Sequence, residues 1–241
     1  MIISHRTIEE IADTVTAEFS AFFYKDGEMS RRVMPLCTPI DQFASDYLKL
    51  NVSFESLSPD GSVCGLTAYE DTVYSCEMSG VRKLIPVKRN QVLLDTCFIQ
   101  PGQVRKLCGR RRFTLAHECA HQILFQLESD ENRAAFRKRY AEGACYSLRE
   151  LKSREDWNEW QANALGAAIL MPRGEVGLAA WRFFPGRRLV CVDGLFSFAD
   201  RDILEMTAGI FGVSISALVI RLRHLGYIDD RSDNLAGEVT A

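Results

Sequence analysis

From Ile8 onward the chain sets apolar residues at helical intervals, with Ile8, Ile11, Ala12, Val15, Phe19 and Phe22 on one stripe and polar positions between them. A stripe of that period reads as the core-facing side of a helix. Thr7 with Glu10 three residues later has the form of a capping box, so the pattern predicts a helix from Thr7 to about Tyr24. Gly27 to Cys37 reads as a polar loop. Thr38-Pro39-Ile40-Asp41 supplies a cap, a first-turn proline and an early acid, which predicts a second helix to about Leu50. The period then shortens. β-like stretches at Val52 to Leu57, Ser62 to Ala68, Val73 to Met78, Leu84 to Val87 and Gln91 to Thr96 are separated by turns, clearest at Ser58-Pro59-Asp60-Gly61 and Lys88-Arg89-Asn90.

Helical spacing returns at Phe113 to Phe125 and again from Ser153, which with Asp156 reads as a helix start, to a stop at Pro172. Residues 128 to 150 read as a charged helix and linker. A further helix is predicted from Gly174 to Phe184, ending at Pro185-Gly186. Two more are predicted at Asp200 to Phe211 and Ser214 to Leu225, divided by Gly212 and closed by Gly226. Residues 229–241 are polar and read as a frayed end. Strands followed by helices give an α+β class: a small, mostly antiparallel sheet against the 113–125 helix, and a helical C-terminal region. The expected division is 1–175, 176–228 and 229–241.

Composition narrows the class without naming a function. The chain has 241 residues, 47% hydrophobic and 25% charged, as in ordinary globular proteins. Its net charge of −3 and pI near 5.9 give no global field that would draw nucleic acid or anionic membrane. The eight cysteines are scattered and have no Cys-x-x-Cys spacing, so they are expected to be reduced thiols. No signal-peptide core opens the chain and no run approaches 18 apolar residues, so the expected location is the cytoplasm, without membrane association.

The chemistry lies in the helix at 113–125, which reads His117-Glu118-Cys119-Ala120-His121. Residues four apart share a helix face, so the two imidazoles point the same way and can hold one metal ion, with Glu118 beside the open position. Only four histidines occur in the chain (His5, His117, His121 and His224), and two of them form this motif. A catalytic site of this kind needs a third protein ligand and leaves its fourth position to water. Glu159 is the candidate. It shares a face with Ala162, Asn163, Gly166 and Leu170, and the small residues on that face permit close approach to another helix.

Arg112-Phe113-Thr114-Leu115-Ala116-His117-Glu118-Cys119-Ala120-His121, then Glu159-x-x-Ala162-Asn163-x-x-Gly166-Ala167-x-x-Leu170-Met171-Pro172, resembles the ImmA/IrrE family of metallopeptidases. Phe211-Gly212-Val213-Ser214, Ala217-Leu218, Arg221-Leu222 and Leu225-Gly226 extend the likeness, which spans roughly residues 40 to 228. The resemblance implies a zincin-like fold. It assigns His117, His121 and Glu159 as metal ligands and Glu118 as general base, and it implies Zn²⁺, with Mn²⁺ as the alternative ion. It further implies that the substrate is a helix-turn-helix repressor of a mobile element, a stress response or a toxin–antitoxin pair. The 37 residues between His121 and Glu159 exceed the family's usual spacing and point to an insertion around 128–150.

Other features compete. Arg105, Lys106, Arg110, Arg111 and Arg112 read as a solvated loop or as a rim for acidic substrate segments. The helix pair at 200–225 has a helix-turn-helix outline, with Arg221, Arg223 and His224 as phosphate contacts, yet its second helix is rich in packing residues and direct DNA binding is not expected. A DNA-binding regulator with a structural metal is the alternative function. Cys119 reads as a small core residue rather than a redox switch. Tyr140, Tyr146 and Arg112 are the candidates for a second oxyanion donor. Oligomeric state is not legible.

Overall fold

Ser4, not Thr7, caps the first helix: its Oγ accepts from the Thr7 N–H at 3.2 Å, so the cap lies three residues earlier than the Thr7–Glu10 pattern predicts. In the computed structural model residues 3–24, 34–129 and 152–232 are described, with backbone alone over 152–157. The expected segments at 25–33, 130–150 and 233–241 lie outside the described residues, and with them Tyr140 and Tyr146. Helix α1 (His5–Phe23) buries Ile8, Ala12 and Phe19. Phe22 leaves the expected stripe. It is 59% exposed, with the Lys49 ammonium 5.8 Å from its ring centre.

The second helix is shorter than predicted. One turn, α2 (Ile40–Gln42), widens into a π-helical turn over Phe43–Tyr47. Thr38 does not cap it: its hydroxyl donates to the Ile169 carbonyl at 2.7 Å, tying this segment to a later helix.

All five expected β stretches are strands with shifted ends: β1 (Asn51–Glu55), β2 (Gly65–Thr67), β3 (Thr72–Met78), β4 (Val81–Val87) and β5 (Gln91–Asp95). They form two sheets. In one, β5 lies between β1, which it meets in parallel, and β2, which it meets antiparallel; in the other, β3 and β4 form an antiparallel hairpin. A third sheet, which the sequence reading misses, has β6 (Leu189–Val192) between β7 (Leu195–Phe196) and β8 (Ile228–Arg231). Its β6–β8 pairing is parallel, so the strands are a mixture rather than one mostly antiparallel sheet. The β6–β7 hairpin carries a readable signal after all. Asp193 and Gly194 have φ of 48° and 83°, the positive pair that a tight primed hairpin turn requires and that Asp-Gly favours.

Helix α3 (Cys108–Leu127) carries the His-Glu-x-x-His motif, and α4 (Lys152–Leu170) carries Glu159. After Pro172 comes α5 (Arg173–Phe183). The last pair, α6 (Phe198–Phe211) and α7 (Ile215–His224), begin at Ser197 and Ser214, whose hydroxyls accept from the Asp200 and Ala217 N–H groups at 3.1 Å. Gly212 closes α6 at φ 63°. No single helix among the described residues is long and apolar enough to cross a membrane; α6 and α7 together would be, but they meet at a 99° bend.

The fold is α+β, and its main core runs from Ile3 to Ile228. At its centre the α3 and α4 faces meet through Leu115, Ala116, Cys119, Ala120, Ala162, Leu165, Ile169 and Leu170, all at 0% exposure. Cys119 is therefore a core residue, as its size suggests. A smaller cluster of Leu57, Ala68, Ile85, Val87 and Leu93 seats the β3–β4 hairpin.

Candidate metal centre

The close approach of α3 and α4 is a main-chain contact. A Cβ on Gly166 would lie 3.1 Å from Ala116 C and His117 N and 3.2 Å from Ala116 O. With glycine at 166 and a buried Ala162 one turn earlier, the α4 backbone lies directly against the first histidine of the motif. Glu159, one further turn back on the same face, then reaches both imidazoles. This is the packing role predicted for the small residues of α4.

His117 Nε2 lies 3.0 Å from His121 Nε2 and 3.2 Å from Glu159 Oε2, and His121 Nε2 lies 3.2 Å from Glu159 Oε1. One ligand atom from each of the three residues fits within a 4.8 Å span, and among the described residues this is the one such group. Those distances suit a divalent cation. A tetrahedron with bonds of about 2.0–2.1 Å has edges of about 3.3–3.4 Å, and two nitrogens with a carboxylate oxygen form a common zinc donor set. The ring side chains are 15% exposed and Glu159 is 49% exposed, so the group opens to solvent on its carboxylate side.

Asn163, one turn after Glu159, completes the geometry. Its Oδ1 lies 2.9 Å from His117 Nδ1. A carbonyl oxygen there accepts the Nδ1 proton and leaves the Nε2 lone pair facing the other two donors, the usual outer-shell fixing of a metal-binding imidazole. Asn163 appears in the sequence motif, but its partner could not be read from it.

Charge in the group is polarised. Burial pulls the His117 pKa down, yet the Glu159 hydrogen bond and the Glu118 and Glu159 charges outweigh it and leave the imidazole raised. Burial acts upward on Glu159, but hydrogen bonds from His117 and His121 hold it far below the carboxylate range. Glu118, at 5% exposure, shows the opposite balance. Desolvation raises it despite the opposing pull of both histidines.

Strand β2 passes beside this group. Cys64 O accepts from Asp95 N, and Ala68 exchanges bonds with Gln91 O and Asn90 N, so residues 64 and 68 turn their polar groups toward β5. Strand alternation then turns the N–H and C=O groups of Gly65 and Thr67 to the outer edge of β2, where no strand among the described residues pairs with them.

Of the competing basic residues, Arg110 donates to Cys64 Sγ at 2.9 Å, and several others are bound within the fold. Arg110, Arg111 and Arg112 belong to α3 rather than to a loop before it. Arg111 makes a two-pronged bond to Asp41 at 2.8 and 2.7 Å. Arg112 donates to Gly212 O, Cys37 Sγ and Thr38 O, which removes it as an oxyanion donor. Arg105 and Lys106 remain exposed. In α7, Arg221 is 3% exposed and bonded to Glu9, Arg223 is bonded to Asp230, and His224 packs on His5 with ring centres 4.2 Å apart. The seven described cysteines are all free thiols, and Cys145 lies outside the described residues.

No family model matches the chain, and no curated protein matches it. Among solved structures it is similar to a Mycobacterium tuberculosis transcriptional regulator, with a TM-score of 0.41 and 13% identity over 89% of this chain. The chain spans 51% of that structure's length, and a likeness of this degree carries no argument about activity.

Proposed function

We propose that the protein is a zinc-dependent endopeptidase that cuts a specific protein substrate. The observation that carries this reading is the convergence of His117, His121 and Glu159 from two helices, with a buried Glu118 next to them whose carboxyl desolvation raises. A bound Zn²⁺ (or Mn²⁺) would supply Lewis-acid polarisation of the scissile carbonyl and lower the pKa of water at its open position to about 7. Glu118 takes the proton from the attacking water and hands it to the leaving amine, a role suited to a carboxylate raised by its burial. Asn163 holds the His117 tautomer. Gly65 and Thr67 offer main-chain groups to an extended substrate, which would add itself to the free edge of β2 and so fix the scissile bond over the site.

The resemblance to the ImmA/IrrE family supports a helix-turn-helix repressor as the substrate, and the free, scattered cysteines support the cytoplasm as the place of action. The internal engagement of Arg221 and Arg223 weighs against DNA as the primary ligand. The test is a parallel assay of zinc content and repressor cleavage on the wild type, Glu118→Gln and Glu159→Ala. Glu118→Gln is expected to keep its zinc and lose about 10²- to 10⁴-fold in cleavage rate, the usual worth of a general base. Glu159→Ala is expected to lose zinc and activity together. Undiminished cleavage by Glu118→Gln would overturn the peptidase reading and favour a regulator with a structural metal.

A further inference from the structure

We infer that Gly65 is a positioning residue for Glu118: the missing side chain at 65 is the space in which the carboxylate of the base is held. This rests on the reading of Glu118 as that base. The backbone does not call for glycine here. Gly65 pairs with Leu94 in regular antiparallel register and is not among the glycines with positive φ. In a strand interior glycine is unfavourable unless something approaches closely. Here something does. A Cβ at 65 would lie 2.6 Å from Thr114 Cγ2, 3.0 Å from Glu118 Oε1 and 3.3 Å from Glu118 Cγ.

Neither wall of this space can yield cheaply. Thr114, Glu118 and Gln122 follow one another at four-residue intervals, so they form a single row on α3 facing β2. The last of the row clamps the strand: Gln122 Nε2 donates to Thr67 Oγ1 at 2.6 Å and to Ala68 O at 3.0 Å. On its far side β2 is held by the ladder to β5. The helix is fixed from behind by buried Leu115, Ala116 and Cys119 and by the main-chain contact with Gly166. A methyl group at 65 therefore displaces the two side chains it meets, and one of them is the base. The two imidazoles face Glu159 on α4, and neither is among the three nearest contacts of a Cβ at 65.

The experiment compares wild type, Gly65→Ala, Thr114→Ser and the double variant Gly65→Ala/Thr114→Ser, all full-length and zinc-loaded. Crystal structures give the Glu118 position, elemental analysis gives zinc, and repressor cleavage gives kcat and KM. Gly65→Ala is expected to shift the Glu118 carboxylate, keep stoichiometric zinc, and lower kcat by about 10²-fold with little change in KM, the scale expected for an ångström's misplacement of a reacting group. Thr114→Ser deletes the methyl group that meets the new Cβ most closely, so the double variant recovers thermal stability. It does not recover kcat relative to Thr114→Ser, because the contact with Glu118 remains. Glu118 unmoved in both alanine-containing variants, or full recovery of kcat in the double variant, overturns the inference. A wild type that cleaves no repressor while Gly65→Ala still moves Glu118 overturns the peptidase reading instead and leaves the positional inference standing.

Discussion

Helices α1 and α3 each bury a glutamate, Glu9 at 8% exposure and Glu118 at 5%, and the surroundings of the two differ in kind. Around Glu9 the protein supplies a direct counter-charge. Arg221, itself 3% exposed, bonds both carboxylate oxygens, donates from Nε to Met171 O at 3.0 Å, and His224 stands 3.6 Å away. Burial acts upward on the Glu9 pKa, but the Arg221 guanidinium wins and holds it below the ordinary value. Around Glu118 the described residues supply no guanidinium or ammonium; desolvation outweighs the pull of His121 and His117 and leaves the carboxyl raised. A satisfied buried charge joins elements together; one left without a counter-charge is held ready to take a proton. Under the proposed function, this is the difference between a structural ion pair and the general base.

The largest effect is expected where the satisfied pair is halved. Arg221→Met leaves Glu9 buried and unpaired and frees the Met171 carbonyl at the end of α4, so stability measured by urea denaturation should fall by about 3–5 kcal/mol. Because folding lowers the Glu9 pKa from 4.5, this stabilisation is fully present above that value and fades as pH falls through the folded-state value. The gap between wild type and Arg221→Met should therefore narrow in acid. A gap that is flat or widening below pH 4.5 would contradict the assignment.

A smaller effect is expected from the outer shell of the metal group. Asn163→Ala should weaken zinc binding by about 10- to 100-fold in chelator competition, with apo-protein stability close to wild type. Unchanged affinity would remove Asn163 from its role in orienting His117. The smallest effect belongs to the unsatisfied glutamate itself. Glu118→Gln replaces a group that costs free energy to bury, so the apo-protein should be as stable as wild type or more stable, by up to about 1 kcal/mol. A loss of several kcal/mol would mean that Glu118 is structural after all.

The features that sequence exposes are those written within a turn or two of chain. The His117–His121 spacing, the small face of α4, the Gly212 end of α6, the Ser214 and Gly226 boundaries of α7 and the five N-terminal strands all rest on local periodicity or capping. What escapes depends on partners far away in sequence. Arg221 reads as a surface cation until α1 delivers Glu9 to it, 212 residues distant. Strand β8 has one buried residue, Ile228, and carries no alternation to announce its parallel pairing with β6. Gly65 reads as one more residue of the expected 62–68 strand until α3 lays Glu118 beside it. Ser4 is a different kind of miss: Ser4 and Thr7 both have capping chemistry, and the choice between them falls to which position the first turn can reach.

The main-chain contact at Gly166 has a consequence for how such a site can change over generations. Where side chains space two helices, every substitution in the layer between them alters the separation of whatever the helices carry. Here the nearest approach is glycine against peptide backbone, which has the same thickness in every sequence. The distance from Glu159 to the two imidazoles is thus insulated from drift in the surrounding core, and Leu115, Leu165 and Ile169 are free to exchange with other apolar residues of similar volume. The few positions that must hold still are the ones that touch the crossing point or the ligands. The rest of the chain can wander far while the three donors keep their spacing.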